Sequence, residues 1–436
     1  MIGPLSIELT EWSHKAANER GSQLAGRFLE DSKARDVAKK LSAAGVIEII
    51  ELREGLSIAS TSYVGRITLG DVQITIHPKI RGAPLVNLLR YAYGLRDLHI
   101  DTLATYESEE RAFQDILIYQ LIAEANELVA RGLHRRYVRT DEALASPRGR
   151  IDLQRIAKQG GVVQATIPCT YYPRLEDCLI NQVLLQGLQL ATRITNDNNL
   201  RVQLYRLVGF LQESVSPIRL DDHALKRLYR EMDRLTVAYR PAITIIEMLL
   251  ASEGISLVDN QQRIQLPGFL FDMNLFFQAL LSRFLREHLI EYEVRDQYKI
   301  KDMMLYDPAH NPRRRQAPTP RPDYVVMQQA KVLSILDAKY RDLWENALPP
   351  HMLYQLAIYA LSQPEGVDAI ILYPTVQSEA KEARIMLRDP IYGTGRAYIV
   401  LRPVNLLHLE QLVTGAKTMK NERERAEFAR QMGSDS

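Results

Sequence analysis

Apolar residues recur along this chain with two periods, and the dominant period changes twice. In the first 84 residues the signal is mixed. Leu24, Phe28 and Leu41 stand among Ala, Lys and Asp at helical spacing, and then residues 46–52 (VIEIIEL), 63–69 (YVGRITL) and 72–80 (VQITIHPKI) are rich in β-branched side chains. Gly70-Asp71 between the last two predicts a two-residue hairpin turn. From about Leu85 to Gly254 the spacing is helical in LVNLLRYAYGL, FQDILIYQLIAEANELVARGL, CLINQVLLQGLQLATRI, LYRLVGFLQES, HALKRLYREMDRL and PAITIIEMLLAS. After about Arg263 a third pattern begins. Residues 273–289 predict an amphipathic helix, 292–296 a strand, 308–322 a mobile Pro- and Arg-rich loop, and two strands follow. A helix at 351–363, a buried strand at 367–374, a hairpin and a frayed, charged end complete it. The expected organisation is a β-rich domain over 1–84, a mainly helical region over 85–262 and an α/β unit over 263–436.

Composition narrows the picture. A chain of 436 residues exceeds a single small core. No apolar run is long enough to span a bilayer, and MIGPLSIELTEW lacks a basic segment followed by an apolar one, so no signal peptide or membrane is expected. The two cysteines, Cys169 and Cys178, do not have zinc spacing and fit a reducing cytoplasm. The formal net charge is +2, so unaided tracking of DNA is not expected, and contact with nucleic acid would need local patches or a partner. One such patch is the stretch 131–158. It carries Arg131, Arg135, Arg136, Arg139, Arg148, Arg150, Arg155 and Lys158 against Asp141, Glu142 and Asp152. A solvated basic hairpin and a surface for phosphate or an acidic partner are equally good readings of it.

The chemistry concentrates in RPDYVVMQQAKVLSILDAKY, residues 321–340. Two apolar strands here carry charges at one end, which buried strands seldom do without pairing or a ligand. A three-residue loop would set Asp323 opposite Asp337, and a four-residue loop would set it opposite Leu336. Either brings the carboxylates to roughly 5–8 Å. Alternation puts Asp337 and Lys339 on one face and Ala338 on the other. Two carboxylates and a backbone carbonyl suit Mg²⁺, with Asp323 and Asp337 as ligands and Lys339 orienting water or offsetting phosphate charge. An Asp–Lys ion pair closing a strand is the plain alternative. Gln355 and Tyr359, four apart on the next helix, share a face and could support such a site. No G-x-x-x-x-G-K-[ST] occurs, so no nucleotide is expected to bind through a P-loop.

The order helix, strand, P-D strand, D-A-K strand, helix with Q-L-x-x-Y, strand resembles the PD-(D/E)xK core of the restriction-endonuclease-like fold. More of the chain resembles the McrC family, nuclease subunits of the McrBC modified-cytosine restriction systems. The resemblance runs through residues 85–95, 130–137, 146–153, 171–184, 275–285, ILDAKY (335–340), LYQLAIYAL (353–361) and ILYPTV (371–376). It implies a multi-domain α+β and α/β protein whose C-terminal domain is a mixed sheet flanked by helices. It places catalysis on Asp323, Asp337 and Lys339, with Gln355 and Tyr359 matching the following helix. Many enzymes of the wider fold carry a metal-ligating Glu on the first helix, where this chain has Gln278. The resemblance further implies an McrB-like AAA+ GTPase ring as partner and double-stranded DNA carrying modified cytosine as substrate. The partner would be engaged through residues 1–260, with Arg131, Arg135, Arg136, Arg148 and Arg150 contributing. The alternatives are a free-standing RecB-type repair nuclease and a non-catalytic adaptor of an NTPase.

Overall fold

The computed structural model describes residues 5–95, 113–158, 165–256, 263–265, 268–300, 303–329, 331–362, 367–389, 391, 393–416 and 418–433. The chain divides into two compact units, one of residues 1–110 with 270–436, the other of residues 111–269. Segments 1–84 and 263–436, expected as separate domains, thus fall almost wholly in one unit.

In the first unit, β1 (Leu5–Thr10) runs parallel to β6 (Val72–His77), which pairs with β5 (Tyr63–Leu69) in an antiparallel hairpin. Leu69 faces Val72 across the expected Gly70-Asp71 turn, and Gly70 takes φ +62°, a conformation glycine adopts without penalty. A second sheet places β4 (Gly55–Ser60) between β2 (His14–Ala16) and β3 (Ile47–Leu52). The helical reading of Leu24 and Phe28 is incorrect: the first helix, α1, is Ser32–Ala43, capped by Asp31. The segment before it is strand and turn, because Leu5, Ile7 and Leu9 alternate with exposed residues and bury at period two.

Helix α2 (Gly82–Tyr93) leads out of this region, and the chain re-enters the unit through β7 (Gly268–Asp272), at the edge of the β1-β6-β5 sheet. Asp272 caps α3 (Met273–His288) by accepting the Asn274 N–H at 2.9 Å. α2 lies against α3, where the Arg283 guanidinium donates to Tyr91 O and the Tyr91 hydroxyl to Glu287 at 2.7 Å.

A six-stranded mixed sheet follows, built from β8 (Glu293–Asp296), β9 (Tyr324–Gln328), β10 (Lys331–Ala338), β11 (Asp368–Thr375), β12 (Ala383–Arg388) and β13 (Gly395–Asn405), in the order β8-β9-β10-β11-β13-β12. The pairs β10–β11 and β11–β13 are parallel and the rest antiparallel. Helix α4 (Pro350–Leu361), the crossover between β10 and β11, covers one face with Leu356, Tyr359 and Ala360 against Val325, Ile335, Ile371 and Ile399. Alternation sends Tyr324 and Ser334 to the other face, where Tyr324 donates to α3 through Gln278 O at 2.6 Å.

After α5 (Leu406–Thr414) comes α6 (Met419–Gly433), the segment expected to fray. It packs because Ala429, Met432 and Gly433 bury a narrow stripe, Ser334 of β10 donates to Gly433 O, and buried Arg425 donates to Leu412 O at 2.7 Å. A charged residue with its donors satisfied by carbonyls can lie inside a helix face that reads as solvated.

The second unit contains helices at all the expected places, including Phe113–Arg131, Leu179–Ile194, Asn198–Gln212, Asp222–Glu231 and Arg240–Glu253. The basic stretch is not one loop. Strands Thr140–Leu144 and Arg150–Ile151 flank Ile167–Tyr171 in a three-stranded antiparallel sheet, and Arg136–Tyr137 pairs with Arg174–Leu175.

Candidate functional site

The site begins with the register of the β9–β10 hairpin. Gln328 pairs with Lys331 and Met327 with Val332, as in a two-residue turn. A bulge at Leu333 then shifts the pairing by one residue, so that Val326 faces Ser334 and Tyr324 faces Leu336. Extended by one position, this sets Asp323 across from Asp337, the register expected from a three-residue loop. Facing carboxylates were one of the two registers the sequence left open, and a bulge after a two-residue turn, not a three-residue loop, is what sets it.

Asp323 is 7% exposed and held by three donors. Its Oδ2 accepts the Ala338 N–H at 2.9 Å, and its Oδ1 accepts the side-chain amides of Gln278 at 3.1 Å and Gln297 at 3.0 Å. A carboxylate has about four acceptor positions, so roughly one remains, on Oδ2. Burial, and then the charge of Asp337, push the Asp323 carboxyl well above the usual carboxylate range, against the lowering effects of Ala338 N–H, Lys339 and Gln297.

Asp337 is 2% exposed. Its Oδ2 lies 2.9 Å from Lys339 Nζ, yet this buried oxygen accepts no aligned hydrogen bond. The contact is therefore a charge pair with coordination capacity left over. Burial pulls Lys339 toward neutrality, but Asp337, assisted by Asp323, outweighs it and raises its pKa, so Lys339 stays an ammonium. Gln355 donates to the Tyr359 hydroxyl at 3.0 Å, a side-chain pair within α4.

Gln297 was not visible as a site residue in the sequence. It follows β8 with φ +49°, unusual for a non-glycine residue, and its backbone N–H also donates to Asp323 O at 2.8 Å. No signal in the sequence marks a glutamine after an edge strand as a carboxylate holder. Also missed was the tie to the N-terminal strands. Tyr340, next to Lys339, donates through its hydroxyl to Glu11 Oε1 at 3.0 Å, receives Trp12 Nε1–H at its carbonyl at 2.9 Å, and donates its N–H to Asn274 at 3.1 Å. Glu11 is 1% exposed, also accepts the Lys79 N–H at 2.6 Å, and leaves Oε2 without a partner. Burial pushes its carboxyl up to about 7.

The basic residues expected to meet a partner lie in the other unit. Arg131 pairs with Glu127 at 2.5 Å, Arg135 with Glu176 at 2.8 Å and Arg136 with Glu231 at 3.1 Å, all at the surface. Arg148 stacks over the Tyr171 ring at 4.9 Å, and Arg150 extends from the same small sheet.

Among the described residues there is no cluster of three or more His, Cys, Asp or Glu set to hold a metal. The donors at hand are two buried carboxylates with free acceptor positions. That set fits Mg²⁺, which is commonly bound by one or two carboxylates and completes its shell with water and substrate phosphate. Zn²⁺ sites, by contrast, usually draw on His or Cys together with any carboxylate.

The fold is shared with a solved chain from "Refined half-complex from tetradecameric assembly of Thermococcus gammatolerans McrB AAA+ hexamers with bound McrC". The TM-score is 0.62 with 21% identity over 97% of this chain and 99% of that one. A chain from "Cryo-EM structure of the Thermococcus gammatolerans McrBC complex" matches with TM-score 0.47 and 20% identity over 65% of this chain and 88% of that one. No curated protein sequence matches. The family model described as "McrBC 5-methylcytosine restriction system component" matches residues 58–374, well over half of the chain, and the chain belongs to that family.

Proposed function

We propose that this chain is the DNA-cutting subunit of a modification-dependent restriction complex. It hydrolyses phosphodiesters with Mg²⁺ when assembled with an McrB-like AAA+ GTPase ring, whose turnover it stimulates. The observation that carries the reading is the convergence of Asp323, Asp337 and Lys339 at one strand end, in a PD-(D/E)xK arrangement. Family membership and the ring-bound structural neighbour support the partner.

Asp323 and Asp337 would hold the cation, which when bound lowers the pKa of water and offsets charge on the attacked phosphate. The chain's own residues do the rest. Gln278, Gln297 and the Ala338 N–H fix the Asp323 carboxylate, leaving its remaining Oδ2 position toward the site. Lys339 lies with its Nζ 2.9 Å from Asp337. It serves as a donor that orients the nucleophile and balances phosphate charge. Neutral Gln278 in place of a glutamate removes one anionic ligand, which lowers affinity for the cation.

The test is cleavage of methylated and unmethylated duplexes, with and without the ring and GTP. Cutting that requires both the modification and the ring supports the reading. Efficient cutting by the isolated chain favours a free-standing nuclease, and ring stimulation without any cutting favours an adaptor.

A further inference from the structure

The Pro- and Arg-rich segment before Asp323 has structure of its own. Asn311 staples it: its Oδ1 accepts the Arg315 N–H and its Nδ2 donates to Arg315 O, both at 2.8 Å, while the Arg314 N–H donates to Asn311 O at 3.0 Å. Arg314 takes φ +48° within this turn. Arg313, Arg314 and Arg315 are all exposed, and none has an acidic partner among the described residues. The nearest acid in sequence, Asp307, is engaged by His310 at 2.7 Å and by the Ala309 N–H at 2.9 Å.

The base of the segment is tied to the site. Ile300 N–H donates to Pro320 O at 3.0 Å and Gln297 N–H to Asp323 O at 2.8 Å. Arg315 is eight positions from Asp323, so at about 3.5 Å per residue it lies within roughly 28 Å of the carboxylate. That is less than one turn of B-DNA, about 34 Å.

We infer that the stapled turn Arg313–Arg315 is a phosphate-binding surface that seats the DNA backbone beside the catalytic strand. The inference rests on the nuclease reading proposed above and adds the surface that holds the substrate. Three unpaired guanidiniums on a closed turn offer bidentate donors to phosphate at little ordering cost. The net charge of +2 gives the whole molecule little general attraction for DNA, so a local patch of this kind carries the contact.

The experiment uses the full chain with its ring, in a Lys339→Ala background so that the duplex stays intact. Binding of a fluorescent double-stranded oligonucleotide is followed by anisotropy as salt is varied. The triple variant Arg313→Gln, Arg314→Asn, Arg315→Gln keeps a residue tolerant of positive φ at 314. If all three arginines meet phosphates, the slope of log K against log salt falls by about 3 and affinity at 0.15 M salt drops about a hundredfold. Replacing the three with lysine should restore most of the slope. An unchanged slope in a variant with unchanged tryptophan fluorescence overturns the inference. So does loss of ring stimulation with DNA binding intact, which would assign the turn to a protein partner. If the parent neither binds nor, with Lys339 restored, cuts DNA, the proposed function itself is refuted. If the parent binds and, with Lys339 restored, cuts, but the variant binds equally well, only this inference is refuted.

Discussion

Glu11 is a buried acid without a full set of partners, and replacing it with glutamine has a calculable effect. The substitution keeps an Oε1 acceptor for the Lys79 N–H and the Tyr340 hydroxyl, and puts a neutral amide where Oε2 has no partner. Burial raises the carboxyl from 4.5 to about 7 in the folded chain. Between those values the unfolded chain has released its proton while the folded chain retains it. Stability is therefore fully present below about pH 4.5 and is lost as pH rises to about 7, above which the loss is constant. At about 1.4 kcal/mol per unit, the full effect is about 3 kcal/mol. Glu11→Gln should match the parent near pH 4.5 and exceed it at pH 8 by up to that amount. The assay is urea unfolding followed by tryptophan fluorescence. It reports on the right unit, because the chain has two tryptophans, Trp12 and Trp344, and Trp12 donates to Tyr340 O. A difference between variant and parent that is the same at both pH values, or a variant less stable at pH 8, would refute the reasoning.

Asp337→Asn or Lys339→Ala should reduce cleavage at least about a thousandfold while leaving the fold and ring stimulation intact, since each removes charge stabilisation at the reacting phosphate. Full cleavage by Mg²⁺-saturated Asp337→Asn would exclude the site. Gln278→Glu replaces a donor to Asp323 Oδ1 with an anion, so thermal stability without Mg²⁺ should fall by about 1–3 kcal/mol. The Mg²⁺ concentration for half-maximal cutting should fall too, and an unmoved midpoint would place Gln278 outside the metal's reach. Arg148→Glu with Arg150→Glu should weaken stimulation of the ring's GTPase without changing cleavage residues. These two test the surface more cleanly than Arg135 and Arg136, whose reversal would also break ion pairs to Glu176 and Glu231.

The sequence made legible what depends on local period and spacing. Residues 63–69 and 72–77 form the expected hairpin, and the helices of the second unit fall where apolar residues recur at 3.6. Alternation brought Asp323 and Asp337 near each other, but the choice between the two open registers was made by a bulge that no local pattern marks. What it hid depends on contacts distant in sequence or on polar groups used as packing. β1 alternates like the strands that were read, but its partner β6 lies more than sixty positions away, so nothing beside it marks the pairing. α6 looked frayed because one of its buried positions is Arg425. Gln297 and Glu11 were invisible because nothing next to them in the chain indicates that one will hold Asp323 and the other Tyr340. The grouping of residues 1–110 with 270–436 has the same origin, since no local pattern marks a strand as waiting for a partner beyond the next unit.

The hydrogen bond from Trp12 to Tyr340 spans 328 positions. At ribosomal speeds of about 5–20 residues per second, roughly 15–65 s of translation separate its two ends. Through that interval β1 and the strands around it exist without the segment that carries Asp323, Asp337 and Lys339, while residues 111–269 emerge complete and can fold. The last-made strands must then be received by a surface finished long before. A ribosome that stalls midway therefore leaves a nascent chain without Asp323, Asp337 or Lys339. The three residues of the proposed site thus enter the chain only in its last third.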